Sequence, residues 1–245
     1  MDKTSGMSRF AEVYERLRPL IIWLGLGELA WLGYWLLSIG DSAPGHVTTA
    51  VVWVAAMLAW MALVIKLANR GVYLKHTRWF ANLVGLPVVW LLTGVVFGAI
   101  DVGREGLLLA AAHTTHVQLA AFHVLRLLAV GTIIKYVQGQ LPLHFVILGS
   151  VPDLLFAASA VVVTILEATA PLGNDFLVVW HVVGFLVFFG PGIAMFLSVP
   201  SPILVYHDKP DASIVFQFPM ALAPNFTVPL FGLAHVFALV KLFAN

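Results

Sequence analysis

The chain of 245 residues contains no cysteine. That excludes disulfides, thiolate nucleophiles, Fe–S clusters and thiolate-ligated zinc. Charge is nearly as scarce: Asp, Glu, Lys and Arg together make up 10% of the residues, against about 25% in soluble domains. With 13 basic and 12 acidic side chains the net charge is +1, so no basic surface points to a nucleic-acid partner. Internal repeats and low-complexity stretches are also missing. What is there is apolar: 61% of residues are hydrophobic and mean hydropathy is +0.97. Long uncharged runs of such residues belong in a lipid bilayer.

Apolar runs of about 20 residues fall at 19–39, 47–68, 79–100, 114–137, 141–166, 175–198 and 222–243. They predict an all-α integral membrane protein, a bundle of seven transmembrane helices. Residues 1–18 alternate charges (Lys3, Arg9, Glu12, Glu15, Arg16, Arg18) and predict a short amphipathic cytoplasmic segment; 19–245 form a single membrane domain. The first apolar run lacks a small-residue cleavage site before Asp41 and reads as a retained helix. Orientation follows from the basic residues. With the N-terminus in the cytoplasm, Lys3, Arg9, Arg16, Arg18, Lys66, Arg70, Lys75, Arg78, Lys135 and Lys209 face inward; only Arg104 and Lys241 face outward, and Arg126 lies within the membrane. That asymmetry predicts a cytoplasmic N-terminus and an outside C-terminus.

Against this background the polar residues at membrane depth stand out. Arg126 lies mid-span in the fourth run, and an arginine there costs about 2.5–3.5 kcal/mol even on the lenient insertion scale. Asp153, mid-span in the fifth, is its candidate partner. Glu28, His181 and His235 add one polar group each from the first, sixth and seventh runs, so five helices contribute to a polar interior. His116, His123 and Arg126 are spaced for one helix face, and with His113 they predict a polar stripe running from the outer surface to mid-membrane. Such stripes serve as wet funnels, proton paths or ligand vestibules; they also occur as imidazoles bonded to neighbouring helices. Three proline- or glycine-marked positions predict helix breaks: Gly149–Asp153 around Pro152, Gly190-Pro191-Gly192, and Pro224 with Pro229. Interrupted helices near the midplane point to transporter-type sites.

The run Arg126…Gly131…Gly139-Gln140-Leu141-Pro142-Leu143-His144-Phe145…Gly149…Asp153 resembles a segment of uncharacterised bacterial multi-pass membrane proteins. The likeness continues through Trp180-His181-Val182-Val183-Gly184 and Pro224-Asn225-Phe226-Thr227-Val228-Pro229-Leu230…His235. It covers roughly the C-terminal half. Where those proteins carry Trp-Asn this chain has Trp180-His181, and where they carry Gly it has Pro152. The resemblance implies a membrane fold and a place in the bacterial cytoplasmic membrane, and no activity.

The functional expectation is a non-enzymatic protein that binds or transports a small polar ligand, an anion or a proton through this interior. No cofactor is required by it. The alternatives are a membrane redox subunit, with haem held by His123 and His181 or a quinone in the interior, and a structural subunit of a membrane complex. Retinal is not expected, because the seventh run has its lone lysine, Lys241, near the outer end.

Overall fold

In the computed structural model the described residues are 20–38, 46–75, 85–98, 101–198, 205–207 and 209–244. The amphipathic segment expected at 1–18 lies outside them. Every regular element among the described residues is helical. In chain order these are α1 (Leu20–Leu37), α2 (His46–Asn69), α3 (Gly85–Gly98), α4 (Asp101–His113), α5 (His116–Val124), α6 (Val130–Val137), α7 (Val151–Thr169), α8 (Asn174–Ser198) and α9 (Val228–Ala244). Short 3₁₀ or π turns and one-turn helices connect several of them.

Five stretches are long and apolar enough to cross a membrane: Val47–Asn69, His116–Val137, Leu143–Thr169, Asn174–Ala194 and Ala223–Phe243. They coincide with the second, fourth, fifth, sixth and seventh expected runs. The first and third expected runs contain shorter apolar helices, Ile21–Leu37 and Pro87–Gly98, and their flanks lie outside the described residues. The described residues are therefore all-helical, with the apolar spans of a polytopic membrane protein.

The last span is the central one. It is 61% buried inside the protein, where the other four are 28–39% buried, and Leu230, Ala234, His235 and Ala238 of α9 are sealed from the surface. Leu155, Val162 and Ile165 of α7 and Val179 and Leu186 of α8 point outward instead, the arrangement of helices whose outer faces meet lipid.

Proline explains how the outer helices are tied to α9. Pro229 has no N–H, so the carbonyl of Asn225 loses its helical donor. Trp60 Nε1 of α2 supplies one at 2.8 Å. Trp90 Nε1 of α3 donates to the Pro229 carbonyl itself at 3.1 Å. Pro152 acts similarly on the carbonyl of Leu148, which lies against Gly190 of α8; a Cβ on Gly190 would stand 3.0 Å from that oxygen.

None of the three expected breaks interrupts its span: two are π turns and one is unbroken helix. Around Pro152 the chain stays helical: a π turn, Val146–Ser150, absorbs the missing hydrogen bond and leads into α7. At Gly190-Pro191-Gly192 the helix α8 runs through uninterrupted, and Gly190 serves close packing. Pro224 sits in a second π turn, Ala223–Thr227, that opens into α9. An interruption that the sequence did not announce lies in the Arg126 span, where the 3₁₀ turn Leu125–Ala129 separates α5 from α6.

Helix termini are closed by specific groups. Thr115 and Gln118 form a reciprocal capping box at the start of α5. Gly139, at φ +68°, ends α6, with Gln140 N donating to the Lys135 carbonyl at 2.8 Å. That left-handed residue is what the Gly139-Gln140-Leu141-Pro142 turn requires.

Candidate functional site

Arg126 sits in the 3₁₀ turn between α5 and α6 and is 3% exposed. An arginine has five N–H donors and no acceptor, so its partners must all accept. Nε donates to Asp153 Oδ1 at 2.8 Å, and Nη2 donates to the same oxygen. Nη1 faces His235 Nε2 at 3.1 Å and the Gly184 carbonyl at 3.4 Å. The guanidinium carbon lies 4.7 Å from the Phe156 ring centroid and 5.7 Å from that of Phe231, within cation–π range. The chain thus surrounds one buried cation with a carboxylate, an imidazole, a carbonyl and two aromatic faces. Asp153 reaches it from the first turn of α7, directly after Pro152.

The contact with Arg126 fixes the direction of the hydrogen bonds beyond it. Because Arg126 can only donate, His235 Nε2 accepts, and a His235 that accepts at Nε2 carries its proton on Nδ1. His235 Nδ1 lies 3.1 Å from His181 Nδ1, so His235 donates and His181 accepts there, which places the His181 proton on Nε2. A directed hydrogen-bonded chain, Asp153–Arg126–His235–His181, therefore joins α7, the 3₁₀ turn, α9 and α8.

His123 completes the cluster. Its ring stacks on that of His235, with centroids 3.8 Å apart and an interplanar angle of 12°. It is fully buried, and neither ring nitrogen has a hydrogen-bond partner among the described residues. One ligand atom from each of His123, His181 and His235 can be chosen so that all lie within 4.8 Å of one another. Buried imidazole nitrogens are rarely left unbonded. This is a site with unused donor and acceptor capacity.

The remaining candidates from the sequence are placed apart. His113 is exposed at the end of α4, and the turn at Thr114–Thr115 separates it from α5. It does not share a helix face with His116 and His123, as the stripe required. His116 is half-buried at the start of α5, with Nδ1 unbonded among the described residues. Exposure thus falls from His113 through His116 to His123. Glu28 in α1 is fully buried, with neither carboxylate oxygen hydrogen-bonded among the described residues, and no described hydrogen bond links it to the cluster. His123 and His181, the pair considered for haem, have ring centroids 5.8 Å apart. His235, Phe156, Trp180 and Phe231 also pack around His123, so a macrocycle between the pair would have to displace them.

Three supporting residues were given no role from the sequence: Phe156 and Ser159, which it did not single out, and Gly184, which it named only within the Trp180–Gly184 resemblance. A Cβ on Gly184 would sit 2.2 Å from Phe156 Cζ and 2.4 Å from His235 Cε1, far inside contact distance. Only glycine allows α8 to approach so closely while its carbonyl meets Arg126. Phe156 stacks on Trp180 at 4.7 Å. Trp180 Nε1 in turn donates to Ser159 Oγ at 3.0 Å. The spacing Trp180-His181-Val182-Val183-Gly184 carried the signal, since residues three and four apart share a helix face.

The chain belongs to the family described as a domain of unknown function (DUF8737), whose model matches residues 104–243. The matched region contains the whole Arg126–Asp153–histidine assembly. No protein of curated function and no solved structure matches the chain.

Proposed function

We propose that this DUF8737 member is a seven-span protein of the bacterial cytoplasmic membrane whose interior takes up a small polar ligand, an anion or a proton, from the outer side. Residues 19–245 make up one membrane domain, with the N-terminus in the cytoplasm and the C-terminus outside. The basic-residue asymmetry supports that orientation. Seven spans are supported by the apolar residues that flank the two shorter helices, among them Trp79, Phe80, Leu83 and Val84. Ile21–Leu37 alone has 17 residues, about 26 Å at 1.5 Å per residue, close to the hydrocarbon thickness.

The observation that carries the ligand reading is His123: a fully buried imidazole with both nitrogens unbonded among the described residues, two turns inward of half-buried His116 on the same helix. Below it the Arg126–Asp153 pair closes the path with a fixed charge. Arg126 does not give up its proton, so it ends a proton path and orients an anion. On this reading the interior is approached from the outside, and the Phe122, Phe156, Trp180 and Phe231 rings that cover His123 at rest must part to admit the ligand. Transport further inward would require the Arg126–Asp153 pair to open.

The absence of cysteine makes the test direct. His116→Cys and His123→Cys proteins, in membrane vesicles of right-side-out orientation, are treated with a membrane-impermeant thiol reagent. Both positions should react from outside, position 116 faster. Failure of both to react in folded protein would contradict the reading.

A further inference from the structure

We infer that His123, His181 and His235 form a binding site for a divalent first-row transition-metal ion of the zinc type, which rests on the reading of the interior as a ligand site and names its ligand. Two of the three already stand at the spacing of a chelate, and the rings, hydrogen-bonded (His181 to His235) and stacked (His123 on His235) without the ion, turn toward it on loading. His181 Nδ1 and His235 Nδ1 stand 3.1 Å apart, and two imidazole nitrogens at 2.0–2.1 Å from one tetrahedral zinc stand about 3.3 Å apart. The third ligand atom, from His123, lies within 4.8 Å of the others and has no hydrogen bond among the described residues. Imidazoles suit zinc, copper, iron and nickel. A cysteine-free chain has no thiolate to offer, so a soft-metal cluster is not the competitor.

The surroundings specify how the ion is held. Three protein ligands leave one coordination position open, as in catalytic rather than structural zinc sites. The three imidazoles bring no negative charge, and Asp153 is engaged with Arg126. The open position takes water, hydroxide or an anion, and the Arg126 cation, in contact with His235 Nε2, favours the anionic forms. Loading also changes a hydrogen bond. A neutral His235 that ligates through Nδ1 carries its proton on Nε2, where it faces an N–H of Arg126. Arg126 Nη1 then turns to the Gly184 carbonyl, 3.4 Å away before loading. Metal occupancy and the Arg126–His235 bond exclude each other, so the ion and the buried ion pair are coupled.

Full-length protein in detergent, stripped with a chelator, is titrated with Zn²⁺ alone and separately with Co²⁺. About one ion per chain is expected, with the intense visible absorption of four-coordinate Co²⁺. His123→Ala should lower Zn²⁺ affinity by more than the ~10–100-fold typical of outer-sphere partners, while His113→Ala leaves it unchanged. If His123→Ala does not fold, the Co²⁺ spectrum of the unaltered protein still decides: a weak six-coordinate spectrum, or binding that His113→Ala abolishes, overturns the site. Outside labelling at position 123 without stoichiometric Zn²⁺ binding overturns the metal and leaves the ligand-accepting interior standing. Absence of both labelling and Zn²⁺ binding overturns both readings.

Discussion

At the scale of single residues, Arg126 carries the largest solvation cost in the site and the most partners. Removing it leaves Asp153, whose side chain is 17% exposed, as an unpaired and largely buried carboxylate, and His235 Nε2 without a donor. Breaking a buried pair from one side costs about 3–5 kcal/mol, because the other charge is left uncompensated. Arg126→Ala should therefore lower the melting temperature in detergent sharply, and Arg126→Ala with Asp153→Ala should recover part of the loss. Recovery is partial because the double variant still lacks the donor to His235. Equal destabilisation by the single and double changes would argue that the pair contributes nothing as a pair. Gly184 gives a second prediction. An added methyl overlaps Phe156 and His235, and overpacking of a fitted core costs about 1–3 kcal/mol. Gly184→Ala should lower the melting temperature by a corresponding amount and disturb His235. A Gly184→Ala protein as stable as the parent would show that α8 can move away freely.

At the scale of elements, the proline positions matter more for the bonds they redirect than for any bend. Trp60 satisfies the Asn225 carbonyl that Pro229 cannot reach, so Trp60→Phe leaves a buried acceptor unbonded at about 1–3 kcal/mol. Chemical denaturation should register that loss, and Pro229→Ala, which restores an N–H to α9, should reduce the cost of Trp60→Phe. Outside the membrane, Asp211 caps the 3₁₀ turn Ala212–Phe216, accepting from Ser213 N at 2.9 Å with Lys209 Nζ 3.5 Å away. Partial burial alone pushes its carboxyl up, but the hydrogen bonds from Ser213 and the nearby Lys209 charge outweigh this and hold it below the usual carboxylate range. A depressed carboxyl contributes stability above its unfolded value of about 3.9, and the contribution is lost as pH falls through the folded value. Asp211→Asn should thus loosen this turn at neutral pH and have little effect in strong acid, measured by hydrogen exchange at Ser213. An effect of equal size at both pH values would rule out the charge as its cause.

The same elements separate what sequence could convey from what it could not. Length and apolarity marked the five long spans, and the isolation of Arg126 and Asp153 in apolar surroundings marked them as partners in need of each other. The proline signal was real but ambiguous: a missing N–H can be met by a π turn, as before Pro152, or by a tryptophan from another helix, as at Asn225. Neither outcome is encoded locally. The 3₁₀ turn at Arg126 contains no proline or glycine, so nothing in its own residues announced it. His113 was grouped with His116 by spacing alone, whereas the capping box at Thr115 and Gln118 begins a new helix between them.

At the scale of the whole molecule, α9 is the axis on which the site depends. It carries His235 at its sealed centre and Lys241 near its end, where Nζ donates to the Ala111 and Ala112 carbonyls at 3.0 and 3.1 Å and so closes α4. The span beginning at α5 contributes His123 and Arg126, α7 contributes Asp153, and α8 contributes His181 and Gly184. Each of these elements thus brings a group to one buried cluster, in which Arg126, Asp153, His235 and His181 compensate one another and His123 keeps both nitrogens unbonded among the described residues. Whether these groups form one directed chain can be read from the histidine tautomers. Nitrogen-15 NMR of histidine-labelled, metal-free protein, with His235→Gln to assign the signals, reports them. A directed chain requires a His235 protonated at Nδ1 and accepting at Nε2, and a His181 accepting at Nδ1. A His235 with its proton on Nε2, or with both nitrogens protonated at neutral pH, would contradict it.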